Sequence, residues 1–148
     1  MLIRYAMTFI GTRYLFGTAP SGGDDPGAGF DCSGFASELL RAAGVLKYRD
    51  RLNAQGIYAH LRTGGEICEP RAGAFSFYGK SATEISHVGF CIAPGYMIEA
   101  GGGDETTLDT TTAARQNAFT RIRPVRFRRD FVACVMPAYP IAPTGVVT

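Results

Sequence analysis

The chain has 148 residues, 46% hydrophobic and 19% charged, with a net charge of +2. That length suits one domain with its own core, and the charge is too small to argue by itself for a nucleic-acid partner. No apolar run reaches the length of a membrane span, and four cysteines without a Cys-x-x-Cys pair, beside two histidines, argue against a structural zinc.

Residues 2–11 set Leu2, Ala6 and Phe9, with Ile3 and Ile10, at helical spacing, which predicts an amphipathic helix ended at Gly11. Arg4 interrupts the apolar run and no small-x-small cleavage site follows, so no signal peptide is expected and the chain is read as made in a reducing host cytoplasm. Residues 17–29 are rich in glycine and proline and read as an irregular loop. Residues 32–43 predict a helix with Phe35, Leu39, Leu40 and Ala43 near one face, Asp31 as N-cap and Gly44 as stop. A shorter helix is predicted over 53–61, ahead of Gly64-Gly65.

The pattern then changes to short aromatic or β-branched runs at 74–78, 87–93, 96–100, 120–125 and 131–136, bounded by Gly, Pro or Asp. Pro94-Gly95 marks a tight turn that makes the second and third runs an antiparallel pair. Helices first and strands after imply an α+β domain, with N-terminal helices packed on one face of an antiparallel sheet. The domain is expected to span 1–137, with 138–148 as a C-terminal tail or strap.

Cys68, Cys91 and Cys134 lie in apolar surroundings and read as small buried hydrophobes. Cys32 differs. It follows a glycine-rich loop and opens a helix, where unpaired N–H groups favour a thiolate and so a nucleophile. Acyl transfer from a thiolate also needs a base for the leaving amine and donors for the oxyanion. His87 is the preferred base, because His60 sits in a helical stretch among Tyr58, Ala59 and Leu61. If the Pro94-Gly95 turn folds two strands together, Glu99 and His87 face each other and point to one side. A carboxylate there fixes the imidazole tautomer and favours its charged form.

These motifs resemble the NlpC/P60 cysteine peptidases, papain-like enzymes that cut the peptide stems of bacterial peptidoglycan. Gly11 to Gly17 is similar to the family's Gly-x-x-Tyr-x-x-Gly opening, Phe30-Asp31-Cys32-Ser33-Gly34-Phe35 to its nucleophile motif, and Ile85-Ser86-His87-Val88-Gly89-Phe90 to its histidine strand. Pro70 to Tyr78 resembles the strand before that histidine. The resemblance implies a papain-like fold with Cys32 as nucleophile, His87 as base and Tyr14 offering its hydroxyl near the oxyanion. It further implies that Asp31 and Ser33 line the subsite for the free amine of an N-terminal L-Ala and that Ser86 borders the cleft. The bond implied is the one between D-Glu, through its γ-carboxyl, and the diamino acid.

The chain departs from the family pattern in three places. Glu99 stands where the family most often has His, Gly73-Ala74 where it has Gly-Asp, and the 17–29 loop is long and carries Asp24-Asp25. Residues 115–129 hold six arginines and no acid. Arg121, Arg123, Arg126, Arg128 and Arg129 read as a solvated face or, more sharply, as a dock for anionic cell envelopes. The expectation is a monomeric peptidoglycan hydrolase of the phage-lysin type, without cofactor or metal, acting on the wall after release or delivery. A muramoyl-L-alanine amidase using the same residues, and a non-catalytic wall-binding or virion-structural module, are the alternatives.

Overall fold

Six strands form one antiparallel sheet in the computed structural model, which describes residues 1–17 and 29–141. In chain order the elements are α1 (Leu2–Met7), α2 (Cys32–Ala42), α3 (Ala54–Gly64), β1 (Glu66–Cys68), β2 (Phe75–Gly79), β3 (Ile85–Ala93), β4 (Tyr96–Gly101), α4 (Thr110–Arg115), β5 (Phe119–Pro124) and β6 (Phe131–Met136), with a 3-10 turn at Val125–Phe127. The sheet order is β1-β6-β2-β3-β4-β5. The predicted loop lies, but for its ends, outside the described residues, as does the tail beyond Ile141.

The helices gather on the sheet as the apolar pattern requires. Phe35 and Leu39 of α2 and Ile57 and Leu61 of α3 join Phe77 and Phe90 in one buried cluster. Burying each such side chain contributes roughly 1.5–3 kcal/mol, whereas an isolated helix of 11 residues is marginal in water. Packing therefore holds α2 and α3, and their caps set where they begin: Asp31 accepts from Gly34 N–H at 2.7 Å and Asn53 from Gly56 N–H at 2.8 Å. A second cluster, of Ala74, Tyr78, Cys91, Met97, Val125 and Cys134, buries the other side of the central strands. Within the described part of the expected tail, Tyr139 donates its hydroxyl to Gly73 O at 2.6 Å.

The structure departs from the sequence-based boundaries in a few places. The first helix stops at Met7 rather than at Gly11, with Thr8 Oγ1 donating to Tyr5 O at 2.6 Å and Gly11 turning at φ +90°. The edge strand β1 and the short helix α4 were not predicted. β3 begins at Ile85, two residues before the predicted start (87 − 85), and carries a bulge. Among the described residues no helix is long and apolar enough to cross a membrane.

Candidate active site

Cys32 is the first residue of α2, directly after its cap. Residues 13–15 hold the approach to it in place. Phe30 N–H donates to Arg13 O and Leu15 N–H to Phe30 O, each at 3.1 Å, and Tyr14 bridges Phe30. Gly29 adopts φ +135°, and a Cβ there would run into the Arg13 carbonyl, so this crossing requires glycine. Phe30 stacks on Phe35 with centroids 5.5 Å apart, which ties the loop to the helix behind it.

His87 follows a bulge. Tyr78 pairs with His87 but Gly79 with Ile85, so Ser86 is an extra residue in β3. Such an insertion bends a strand and re-aims its neighbours, and here Ser86 is exposed while His87 is buried. The β3–β4 hairpin turns at Pro94-Gly95 as expected, but its register differs. A shift between Cys91 and Ala93 puts Phe90 opposite Ile98, and continuing that register sets Glu99 against Gly89. His87 and Glu99 therefore meet diagonally rather than directly opposite each other. They do meet: His87 Nε2 and Glu99 Oε2 are 2.5 Å apart, with side chains only 7% and 5% exposed.

The other Glu99 oxygen, Oε1, lies 3.1 Å from Arg123 Nε. Arg123 sits on β5 and lays its guanidinium over the Phe127 ring, 4.0 Å from the centroid. Burial alone would raise the Glu99 pKa, yet the His87 hydrogen bond, the His87 charge and the Arg123 charge bring it below the usual value. For His87 burial favours the neutral ring. Charge and hydrogen bonding from Cys32, then from Glu99, overcome it and push the imidazole up to about 9. With Nε2 given to Glu99, Nδ1 is the nitrogen left for the Cys32 thiol.

These groups open on one cleft of about 340 Å³, lined by Tyr14, Cys32, Ser86, His87, Glu99 and Arg123. Tyr14 is 8% exposed, and burial, with the charges of Cys32 and Asp31, raises its pKa and keeps its hydroxyl neutral and able to donate. A Cβ at Gly103 would overlap the Tyr14 ring, so the cleft wall also depends on a glycine. Asp31 and Ser33 line a separate cavity of about 270 Å³ that includes Arg41 and Asn53. Both Asp31 oxygens are engaged there, Oδ1 by Gly34 N–H and Ser33 Oγ and Oδ2 by Gly17 N–H. His60 is exposed, with Nε2 3.2 Å from Val45 O. Among the described residues no group of three or more His, Cys, Asp or Glu is placed to hold a metal.

The arginine segment is less open than its alternation implied. Arg121 stacks on Phe119, Arg126 on Phe131, and Arg128 forms an ion pair with Asp130 at 2.8 Å. Arg123 was read as an outward charge, and its place beside Glu99 was missed. The available signal was register, since Glu99 pairs with Arg121 and brings the next arginine on that face within reach.

The model of the NlpC/P60 family matches residues 11–123. No curated protein sequence matches the chain. Among solved structures, the peptidoglycan hydrolase RipB from Mycobacterium tuberculosis aligns with a TM-score of 0.60 at 25% identity, over 95% of this chain and 64% of that one. The P60 domain of antigen MAP1204 from M. avium subspecies paratuberculosis aligns at 0.62 and 24%, over 95% and 93%. RipD from M. tuberculosis, a non-catalytic NlpC/p60 domain protein adapted to peptidoglycan binding, aligns at 0.62 and 20%, over 93% and 94%. The last two speak to the fold alone, and the chain spans less than two thirds of the RipB chain.

Proposed function

The chain belongs to the NlpC/P60 family, and from that premise we propose that it is a cysteine endopeptidase of peptidoglycan stems, cutting the bond between the D-Glu γ-carboxyl and the diamino acid. The observation that carries the reading is the buried His87–Glu99 contact of 2.5 Å, in the same cleft as a helix-start thiol. Solved NlpC/P60 domains include a non-catalytic wall binder, and a carboxylate-held imidazole beside a thiol supports catalysis over binding alone.

In this mechanism the Cys32 thiolate attacks the scissile carbonyl carbon, and the carbonyl electron pair moves onto oxygen. The unpaired N–H groups at the start of α2 and the Tyr14 hydroxyl receive that oxyanion, where one well-placed donor is worth roughly 10²–10³ in rate. The His87 imidazolium gives its proton to the leaving nitrogen as the C–N bond breaks, which leaves a thioester and a neutral ring. Water then attacks the thioester, His87 takes its proton, and the thiolate departs. Glu99 stays ionised throughout, holds the Nε2 tautomer and stabilises the imidazolium. Asp31 and Ser33 line the neighbouring cavity, where a carboxylate suits the free L-Ala amine of a stem already released from the sugar.

Mass spectrometry of digested peptidoglycan tests the bond. The γ-glutamyl reading predicts L-Ala-D-Glu left on the sugar and a new amine on the diamino acid. Release of the whole stem from the sugar would assign the amidase reaction instead. A bacteriolytic role of the phage-lysin type belongs to the same proposal, and loss of turbidity when protein is added to intact bacteria checks it.

A further inference from the structure

β5 and the connection after it bring two arginines to the cleft, Arg123 and Arg128, and Arg123 is the one beside Glu99. Arg128 lines the same cleft as Cys32 and His87, with its side chain 34% exposed. Its position is fixed from two sides. Nε and Nη2 donate to the two carboxylate oxygens of Asp130 at 2.9 and 2.8 Å, and the guanidinium lies 5.5 Å from the centroid of the Tyr78 ring. Tyr78 is fully buried and anchored by its own hydroxyl on Val125 O at 2.7 Å.

A guanidinium carries five N–H donors in one plane, and Asp130 accepts two of them. The remaining donors are held in a plane set by Asp130, in a cleft whose lining carries Arg123 and Arg128 against one carboxylate, Glu99. Arg128 also interacts with the charges of Glu99 and Cys32, so it sits within electrostatic reach of the nucleophile. It lies beyond residues 11–123, the part that matches the family.

We propose that Arg128 is the carboxylate receptor of a substrate subsite beside Cys32, and that it takes the free α-carboxylate of the γ-linked D-glutamyl residue under attack. The inference rests on the γ-glutamyl reading above. In a γ-glutamyl bond the α-carboxylate stays free, a short aliphatic spacer from the scissile carbonyl. Carbonyl at Cys32 and carboxylate at Arg128 then occupy one cleft. A planar, pre-oriented fork suits a carboxylate better than a point charge does. A substrate amidated at the α-carboxyl keeps its shape and loses that charge, so this subsite selects acid over amide.

The test compares kcat/KM for an L-Ala-γ-D-Glu-diamino acid peptide with that for its α-carboxamide analogue. The native protein should favour the acid by roughly 10- to 100-fold, the range of a charge-assisted hydrogen bond. Arg128→Gln should bring that ratio near one. The double substitution Arg128→Gln with Asp130→Asn should do the same, which excludes repulsion from an unpaired Asp130 as the cause. Arg128→Lys should fall between, and Arg115→Gln, which removes a charge outside the cleft lining, should keep the native ratio. Thermal melting separates these effects from misfolding. A ratio unchanged in all Arg128 variants would overturn the subsite and leave the γ-glutamyl reading standing. A native protein that cleaves neither peptide would overturn that reading, and the subsite with it.

Discussion

Two settings of thiols contrast in this molecule, and Cys68, expected to be buried but half-exposed on edge strand β1, belongs to neither. Cys91 and Cys134 face each other with sulfurs 3.7 Å apart, inside the cluster that includes Ala74, Met97 and Val125. There the Cys91 partner, and then burial, push the Cys134 thiol up. Cys32 heads α2 beside an imidazole whose other nitrogen is tied to a carboxylate. Burial does not separate the two settings, because Cys32 is itself only 8% exposed. The difference is a cationic partner and an opening. A buried thiol becomes chemistry only where the fold supplies both.

The comparison breaks most sharply at His87. His87→Ala removes the cation and leaves Cys32 with the opening alone, so turnover should fall by roughly 10²- to 10⁴-fold or more. Alkylation of Cys32 by iodoacetamide, faster than that of Cys91 or Cys134 in the native fold, should slow in step. His60→Ala, outside the cleft, should change neither. Unaltered alkylation in His87→Ala would mean that the cationic partner is not what sets Cys32 apart.

Next in size is the carboxylate. Glu99→Gln should lower turnover about 10- to 100-fold, as with other partners that orient a functional imidazole. Its signature is in pH. His87 holds its proton up to about 9, so activity that needs the imidazolium should fade on the alkaline side near that value. Glu99→Gln removes a stabilising charge and should move that limb to lower pH. Arg123→Gln removes a competing cation and should move it higher, with a smaller loss of rate. The same shift bears on stability. A folded-state pKa raised from 6.5 to about 9 gives a contribution that is complete below pH 6.5 and lost as pH rises through about 9. Denaturation midpoints across that window check the sign.

The smallest effect on chemistry belongs to the sealed pair. Cys134→Ala should leave turnover intact and cost roughly 1–2 kcal/mol of stability, the expected range for trimming a buried side chain. Denaturant titration measures it. Lost turnover in a folded Cys134→Ala protein would erase the distinction between the two settings.

The layout of helices, the Asp31 cap and the Pro94-Gly95 hairpin were legible in the sequence because each is encoded locally, by period, by a capping side chain or by a turn pair. β1 was not, because Glu66–Cys68 is three residues long and exists only through its pairing with β6. α4 was hidden by its composition. Thr110, Thr111 and Thr112 are poor helix formers, and the helix is started by Asp109, which accepts from Thr112 N–H at 2.7 Å. The His87–Glu99 meeting was legible through even spacing and a turn, but its diagonal form depends on the strand irregularities that re-register β3. Arg123 illustrates the limit. Alternation along β5 marks it as sharing a face with Arg121, and only pairing with β4 says that this face meets a buried carboxylate.

The central claim is that Cys32 performs the chemistry. Cys32→Ala keeps a helix-compatible residue at the start of α2, so its melting temperature should stay close to that of the native protein. Incubated with purified peptidoglycan, the native protein should release new amines from the stem, and the Cys32→Ala protein should release none above background. Amine release that persists in a folded Cys32→Ala protein would contradict the account.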